Sequence, residues 1–176
     1  KENYYHKIKK KNLLGKREKM KYYIKTSKEN IDYQAVSDIL GYYGMSSLNA
    51  EMQEKVFKNS YAVSFLYDEE RLIGCARALS DGVSEAALYN IALKEEYHGK
   101  QLGRMLIESI IEQVKNCNII LYTHPQTIAM YEKFGFRRQK TGMAIYHGTV
   151  EDMIRMEKVG FILPEKYRFN DNEYEK

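Results

Sequence analysis

The sequence predicts an α/β fold, and three observations support that prediction. Helical and strand-like apolar patterns alternate along the chain, with no low-complexity linker between them. Two strand-like runs near the middle of the chain flank a short polar turn, which is typical of an antiparallel hairpin. After them an amphipathic helix lies between two apolar strands, which favours a right-handed parallel crossover.

The composition is typical of a soluble globular protein with one sizeable core. The chain has 176 residues, of which 30% are charged and 44% are hydrophobic. No apolar run approaches the roughly 18 residues that cross a bilayer, so we expect neither a membrane span nor a secretory signal. Cys75 and Cys117 lie far apart within apolar stretches, which favours buried thiols in a reduced, cytoplasmic setting over a disulfide or a metal site.

The basic charge is concentrated near the start of the chain, whose net charge is +4. Lysines and arginines crowd residues 1–19, and such an arm could contact nucleic acid or an acidic surface. We favour a flexible leader over nucleic-acid binding, because residues 1–19 contain no nucleic-acid motif. Residues 20–146 would then form the main domain, and residues 147–176 would be a C-terminal extension that provides packing or dimer contacts.

The first elements are a strand and two helices. Lys21 to Thr26 is strand-like, and Ile31, Ala35 and Ile39 keep a helical spacing that ends near Gly41. A second helix is expected from about Ser47 to Lys58, with the connection Tyr42 to Met45 between the two helices.

Three strands are expected next. Residues 61–68 and 72–79 form the hairpin, with its turn at residues 68–71, and residues 86–93 form the following strand.

The crossover helix begins at Leu102. Apolar residues recur at four-residue steps and define one buried face: Leu102, Leu106, Ile110 and Val114. Residues 119–122 form the next buried strand. Pro125 begins a second crossover segment, residues 126–134, which Gly135 ends, and residues 136–138 and 143–146 are the last strand-like runs.

The turn before the crossover helix is the candidate functional site. It lies at the carboxyl end of strand 86–93, where open α/β sheets bind ligands. The helix after it opens with positive charge and no carboxylate, so its N-terminal N–H groups could bind an anion such as a pyrophosphate. A P-loop would need Ser or Thr after the lysine, but Gly103 is followed by Arg104. A dinucleotide turn would need a third glycine in the opening helix, but this turn has only Gly99 and Gly103.

The residues of this turn resemble the signature of the GNAT superfamily of N-acetyltransferases, Gln/Arg-x-x-Gly-x-Gly/Ala. The six places are filled by His98 to Gly103, where His98 replaces Arg or Gln and Gln101 replaces the middle glycine. Downstream, Met130 to Phe136 resembles the family's Leu/Phe-Tyr-Glu-Lys-x-Gly-Phe motif, and Leu88 to Leu93 resembles the strand that precedes the turn. The resemblance covers roughly Tyr22 to Tyr146.

This resemblance implies a GNAT-like fold, with a mixed, mostly antiparallel central sheet, a parallel crossover pair at the cofactor site and flanking helices. It also implies that acetyl-coenzyme A donates an acetyl group to a primary amine, on a small molecule or a protein, by direct attack in a ternary complex. The cofactor contacts that it implies are Ile91, Ala92, Leu93, His98, Gly99, Lys100, Gln101, Leu102, Gly103, Arg104 and His124. An alternative is a catalytically inactive acyl-CoA-binding regulatory module.

Within the resemblance, Tyr131 is the candidate catalytic acid, because a phenol is protonated at neutral pH and can donate a proton to a departing thiolate. Its other interpretation is a core aromatic beside Phe134 and Phe136. Some members of that family have a glutamate at the place that Ala87 occupies here. Glu85, two residues earlier and on the same face of the strand, is therefore the candidate base. His124 could bind the cofactor arm or cap the next segment, and Tyr42 and Tyr43 are candidate substrate-binding residues.

Overall fold

We describe the fold from a computed structural model that covers residues 22–165 and Tyr167. The predicted leader, residues 1–19, and the nucleic-acid contacts considered for it lie outside this range. The described chain comprises two compact units, the first ending at Leu121 and the second beginning at Tyr122. The predicted division into a domain and a C-terminal extension at residue 146 stays a prediction.

The first unit contains a five-stranded sheet in which the strands follow sequence order. Its strands are β1 (Tyr22–Lys25), β2 (Ala62–Asp68), β3 (Arg71–Ser80), β4 (Glu85–Leu93) and β5 (Asn118–Ile120). The first four strands pair in antiparallel fashion, whereas β4 and β5 are parallel. The mixed, mostly antiparallel sheet with one parallel crossover pair is therefore confirmed.

Three helices flank this sheet: α1 (Tyr33–Tyr42), α2 (Ala50–Lys58) and α3 (Leu102–Gln113). Side chains cap the first two helices, because the Asp32 carboxylate and the Asn49 side-chain oxygen accept hydrogen bonds from backbone N–H groups of the first turn. The apolar side chains of α1 and α2 pack with alternate residues of β2, such as Val63 and Phe65, in one core cluster.

The opposite face of β2 contacts α3 through a polar cluster. The Ser64 hydroxyl, which is completely buried, lies 2.8 Å from the Ser109 hydroxyl. The Gln113 side-chain amide donates to the Val63 carbonyl and to the Ser64 hydroxyl, each at 3.0 Å. The polar cluster therefore joins α3 to the sheet alongside the apolar residues Leu106, Ile107 and Ile110, which are buried.

The turn between β3 and β4 is closed by one carboxylate. Asp81 accepts hydrogen bonds from the backbone N–H groups of Val83, Ser84 and Glu85, at 2.8 to 3.1 Å, and from the Ser84 hydroxyl at 2.6 Å. The Ser84 hydroxyl and these backbone donors lower the pKa of Asp81 well below its ordinary value.

The second unit contains a 3-10 turn (Pro125–Thr127), α4 (Ile128–Glu132) and α5 (Val150–Lys158). Gly135 follows α4 with a φ of +89°, as expected of a helix stop. Thr149 and Asp152 form a capping box at the start of α5.

The predicted strands at residues 136–138 and 143–146 are wrong. Both segments are irregular, and Met143 and Ile145 are 98% and 88% exposed. An alternating apolar pattern forms a strand only where a neighbouring strand and a buried face are available, and these residues have neither within the described chain.

The two cysteines differ in their surroundings. Cys75 is completely buried, which raises the pKa of its thiol to about 12, whereas Cys117 is partly exposed. Both are free thiols, so the expected burial holds for Cys75 alone. No helix in the described ranges is long and apolar enough to cross a membrane.

Candidate functional site

Strand β4 has a paired end, which lies beside β5, and an open end, where no described strand lies on that side. Its ladder with β5 covers only Glu85 to Ala87, opposite Asn118 to Ile120. From Leu88 onward, the edge of β4 on the β5 side lies beyond that ladder. The open edge leads directly into the turn that the sequence identifies as a candidate anion site.

A bulge in β4 determines which backbone groups face this open edge. The register with β3 shifts between the pairs Arg77↔Tyr89 and Cys75↔Ala92, and Asn90 lies in the extra stretch with a φ of +51°.

Beyond the bulge, the Lys94 N–H donates to the Ile73 carbonyl of β3 at 2.8 Å. Because backbone groups alternate between the two edges of a strand, Ala92 also faces β3, whereas Ile91 and Leu93 face the open edge.

The end of β4 is capped by two predicted site residues that lie far apart in sequence. The Tyr43 hydroxyl donates to the Leu93 carbonyl at 2.6 Å and lies 3.2 Å from His98 Nε2. That same nitrogen lies 3.0 Å from the Leu93 carbonyl oxygen, and the Tyr43 and His98 rings stack. Burial, with the carboxylates of Glu95 and Glu96, raises the pKa of Tyr43. The Leu93 carbonyl is thus already engaged by side chains.

Tyr42 lies beside this cap. Its hydroxyl donates to the Glu95 carboxylate, which raises the pKa of Tyr42, and its ring meets that of Tyr43 edge to face. A Schellman ending holds both tyrosines in place, since the Met45 N–H donates to the Leu40 carbonyl at 2.9 Å and Gly44 has a φ of +63°.

The turn itself exposes the N-terminus of α3. Gly99 and Gln101 have φ values of +75° and +61°, and Gln101 precedes α3 without a side-chain capping bond. The first intrahelical bond joins the Met105 N–H to the Gln101 carbonyl at 3.2 Å, so the earlier N–H groups point out of the helix. The first turn of α3 contains no acidic residue. The start of α3 therefore has neither a side-chain cap nor an acidic residue in its first turn, and its binding of an anion stays a prediction.

The two basic side chains of the turn are held by neighbours. The Lys100 ammonium donates to the Glu96 carbonyl at 2.9 Å and lies 5.0 Å from the centre of the Tyr97 ring. Arg104 pairs with Glu108 at 3.1 Å on the exposed side of α3. The backbone of the turn is therefore better placed to bind an anion than these side chains.

Tyr131 and His124 lie in the second unit. Tyr131 is 8% exposed, and its ring packs edge to face against Phe136. Burial raises the pKa of Tyr131, although the Thr123 hydroxyl acts in the opposite direction. His124 caps the 3-10 turn, because its Nδ1 accepts from the Gln126 N–H at 3.3 Å.

Glu85 lies at the paired end of β4, away from the other predicted residues of the first unit. The Asn118 side-chain amide donates to its carboxylate at 2.9 Å, and Glu85 is exposed. It lies eight positions before Leu93, which is roughly 25 Å along an extended strand. Its role as a base stays a prediction.

One pair of residues near the open edge was not predicted from the sequence. Arg77 Nε donates to the Asn90 side-chain oxygen at 2.5 Å, and the guanidinium lies 4.9 Å from the centre of the Tyr89 ring. The available signal was an arginine within the otherwise apolar run of β3.

Comparison with known proteins agrees with this geometry. Residues 29–136, more than half of the chain, match the acetyltransferase (GNAT) family. The chain therefore belongs to the GNAT family of acetyltransferases.

Individual relatives show the same similarity. The histone acetyltransferase TAP1 of Glycine max is 31% identical over 128 residues, which are 64% of this chain and 53% of that protein. The chloroplastic serotonin N-acetyltransferase 2 of Oryza sativa is 25% identical over 134 residues, which are 70% of this chain and 66% of that protein. The chain thus spans about half the length of the first relative and about two thirds of the second.

A solved structure extends the comparison to the fold. The Staphylococcus aureus protein SA2161 aligns with a TM-score of 0.61 and 26% identity, covering 70% of this chain and 99% of that protein.

Proposed function

We propose that this protein transfers the acetyl group of acetyl-CoA to a primary amine by direct attack in a ternary complex. One observation carries the proposal: the open edge of β4 leads into a turn whose backbone N–H groups point outward. Coenzyme A has a matching shape, with an amide-bearing arm attached to a pyrophosphate.

The residues of the turn fit a pyrophosphate. A Cβ added to Gly99 would meet no described atom within 4 Å, and one added to Gly103 would meet Leu93 Cδ2 at 3.9 Å. Neither glycine is required by internal packing, so the space around them is available to a ligand. The outward N–H groups and the positive end of α3 favour negative charge there. The Ile91 backbone could pair with the amide-bearing arm as an added strand would.

Acetyl-CoA supplies an activated thioester, and the chain supplies proton transfer. Tyr131 is our candidate for the acid that protonates the departing sulfur. Its raised pKa supports that role, because the phenol keeps its proton at neutral pH. Complete burial also keeps the Cys75 thiol protonated, which supports direct attack over a covalent intermediate on that cysteine.

Two classes of acceptor amine are suggested by the relatives. Their names include a histone acetyltransferase and a serotonin N-acetyltransferase, so lysine side chains and aromatic monoamines are the first candidates. Tyr42 and Tyr43, which lie at the end of β4 beside the turn, are our candidates for lining the entrance to the acceptor site.

The test begins with calorimetry of the whole chain with coenzyme A. It continues with thiol release from acetyl-CoA in the presence of a lysine peptide and of serotonin. We expect binding and amine-dependent release. The absence of a heat of binding at about 1 mM coenzyme A would mean a binding free energy weaker than roughly −4 kcal/mol. That result would contradict the proposal. Binding of coenzyme A with no thiol release in the presence of any amine tested would instead support the acyl-CoA-binding module.

Tyr131→Phe tests the acid. It should lower kcat by roughly one to three orders of magnitude while leaving the affinity for coenzyme A unchanged. Tyr61→Phe, at a tyrosine that is 52% exposed, is the matched control and should behave as wild type. An unchanged kcat in Tyr131→Phe would leave Tyr131 as a packing residue beside Phe136.

Glu85→Gln tests the base. Loss of a general base should lower kcat by roughly a hundredfold or more. A kcat within about twofold of the wild-type value would exclude Glu85 from the chemistry and leave its bond with Asn118 as its described contact.

A further inference from the structure

The conformation of Asn90 is unusual for a residue within a strand. Its φ of +51° lies in the left-handed region, which residues other than glycine adopt at a cost in energy. Asparagine tolerates this region better than most residues, but it persists in a strand only where its surroundings stabilise it.

Arg77 provides such surroundings. Its Nε donates to the Asn90 side-chain oxygen at 2.5 Å, and a bond from a charged donor is stronger than one between neutral groups. Arg77 also lies directly opposite Tyr89 in the ladder, with its guanidinium 4.9 Å from the centre of that ring. The guanidinium is therefore held by the residue before the bulge while it binds the bulged residue.

The bulge has a direct effect on the open edge of β4. Tyr89 and Ala92 lie opposite Arg77 and Cys75, which are two residues apart on β3, so β4 contains one extra residue at this point. A change of register by one residue would exchange the groups that face β3 and the groups that face the open edge. Because the bulge is present, the backbone of Ile91 faces the open edge.

We infer that Arg77 is a positioning residue, which holds Asn90 in the left-handed conformation and so directs the Ile91 backbone toward the coenzyme arm. The inference depends on the proposed function only for the identity of the ligand. The coupling between Arg77 and Asn90 can be measured without any ligand.

The test is a double-mutant cycle of Arg77→Met and Asn90→Gly. Arg77→Met should weaken coenzyme A binding about tenfold, which corresponds to the loss of one charge-assisted hydrogen bond. Asn90→Gly should bind as wild type, because glycine adopts the left-handed conformation without help. In the double variant the effect of Arg77→Met should disappear. If the tenfold loss persists with Gly at 90, Arg77 acts on the ligand directly and the inference is wrong.

A second variant keeps the test decisive if Arg77→Met does not fold. Asn90→Ala retains Arg77 but removes the acceptor and disfavours the left-handed conformation, so it should weaken binding as Arg77→Met does. Wild-type affinity in Asn90→Ala would overturn the inference. Arg155→Met, at an exposed arginine on α5 that pairs with Asp152 at 3.2 Å, is the matched control and should bind as wild type.

A structural measurement separates the inference from the proposed function. The left-handed conformation brings a residue's own amide and Hα protons close together, which gives a strong intraresidue NOE. We expect this NOE at residue 90 of the wild type and its loss in Arg77→Met, both without ligand. Retention of the NOE in Arg77→Met would overturn the inference, whereas wild-type protein that shows the NOE but does not bind coenzyme A would overturn the proposed function.

Discussion

The two ends of β4 differ in how their backbone hydrogen-bonding groups are satisfied. At the first end, Ala86 and Ala87 are paired on both sides, and the Asp81 carboxylate satisfies the donors of the preceding turn. At the other end the strand bulges at Asn90, and the following turn leaves the N-terminus of α3 without a side-chain cap. The comparison indicates that saturated hydrogen bonding stabilises the fold at the paired end, while donors left available at the open end can bind a ligand.

The largest effect is expected from a negative charge at the open end. Gly103→Glu places a carboxylate in the first turn of α3, where it should stabilise the helix and repel a pyrophosphate. We expect coenzyme A to bind roughly a hundredfold more weakly, about 2.7 kcal/mol, while Tm stays unchanged or rises. Calorimetry and thermal unfolding measure the two effects. Gly103→Ala is the control for the added Cβ, and equal losses in the two variants would argue against a charge effect.

A smaller effect should follow from forcing a side chain onto the left-handed turn. Gly99 has a φ of +75° but open space around it, so Gly99→Ala should lower the free energy of unfolding by roughly 1 to 2 kcal/mol through backbone strain alone. Urea denaturation measures this loss. A stability equal to that of the wild type would show that the turn relaxes to another conformation, and coenzyme A affinity should then fall.

A substitution at the paired end should change the stability of the protein and leave its affinity for coenzyme A unchanged. Asp81→Asn removes the charge that accepts the turn's donors, so Tm should fall at pH 7 while coenzyme A affinity is unchanged. Because the pKa of Asp81 is lowered in the folded state, its contribution is complete above the ordinary value of about 3.9 and is lost as the pH falls below it. The difference in Tm between variant and wild type should therefore shrink below about pH 4. A difference that is constant with pH would contradict this prediction.

The smallest effect is expected from Gln101→Gly, which restores the glycine of the family signature. Glycine relieves the left-handed strain at φ +61° but increases the freedom of the unfolded chain, so stability should change by less than about 1 kcal/mol. Since the backbone is expected to bind the ligand, coenzyme A affinity should stay within about twofold of the wild-type value. A tenfold loss would assign a direct role to the Gln101 side chain.

The sequence predicts the elements whose signals are local. The four-residue steps from Leu102 to Val114 specify α3, and the alternation on either side of residues 68–71 specifies the hairpin of β2 and β3. The glycine and charge pattern of residues 98–104 likewise identifies the turn, because it depends on neighbouring residues only.

Features that depend on distant contacts could not be predicted in the same way. The Tyr43 hydroxyl reaches His98 across fifty-five positions of sequence, and the Asn90 side chain in the bulge bonds Arg77 on another strand. The runs at residues 136–138 and 143–146 have a strand-like pattern but no partner strand in the described chain, so their local signal was misleading.

The polar cluster beneath α3 has a consequence for the open end of β4. Apolar contacts are not directional, so they fix the rotation and position of a helix on a sheet less sharply than hydrogen bonds do. Ser109 and Gln113 bond to fixed atoms of β2, and hydrogen bonds between buried groups lose much of their strength when misaligned. These bonds at the C-terminal part of α3 therefore fix the rotation of the helix about its axis and its position on the sheet. The direction of the N-terminal N–H groups, about 10 Å or more along the same helix, is thereby fixed as well.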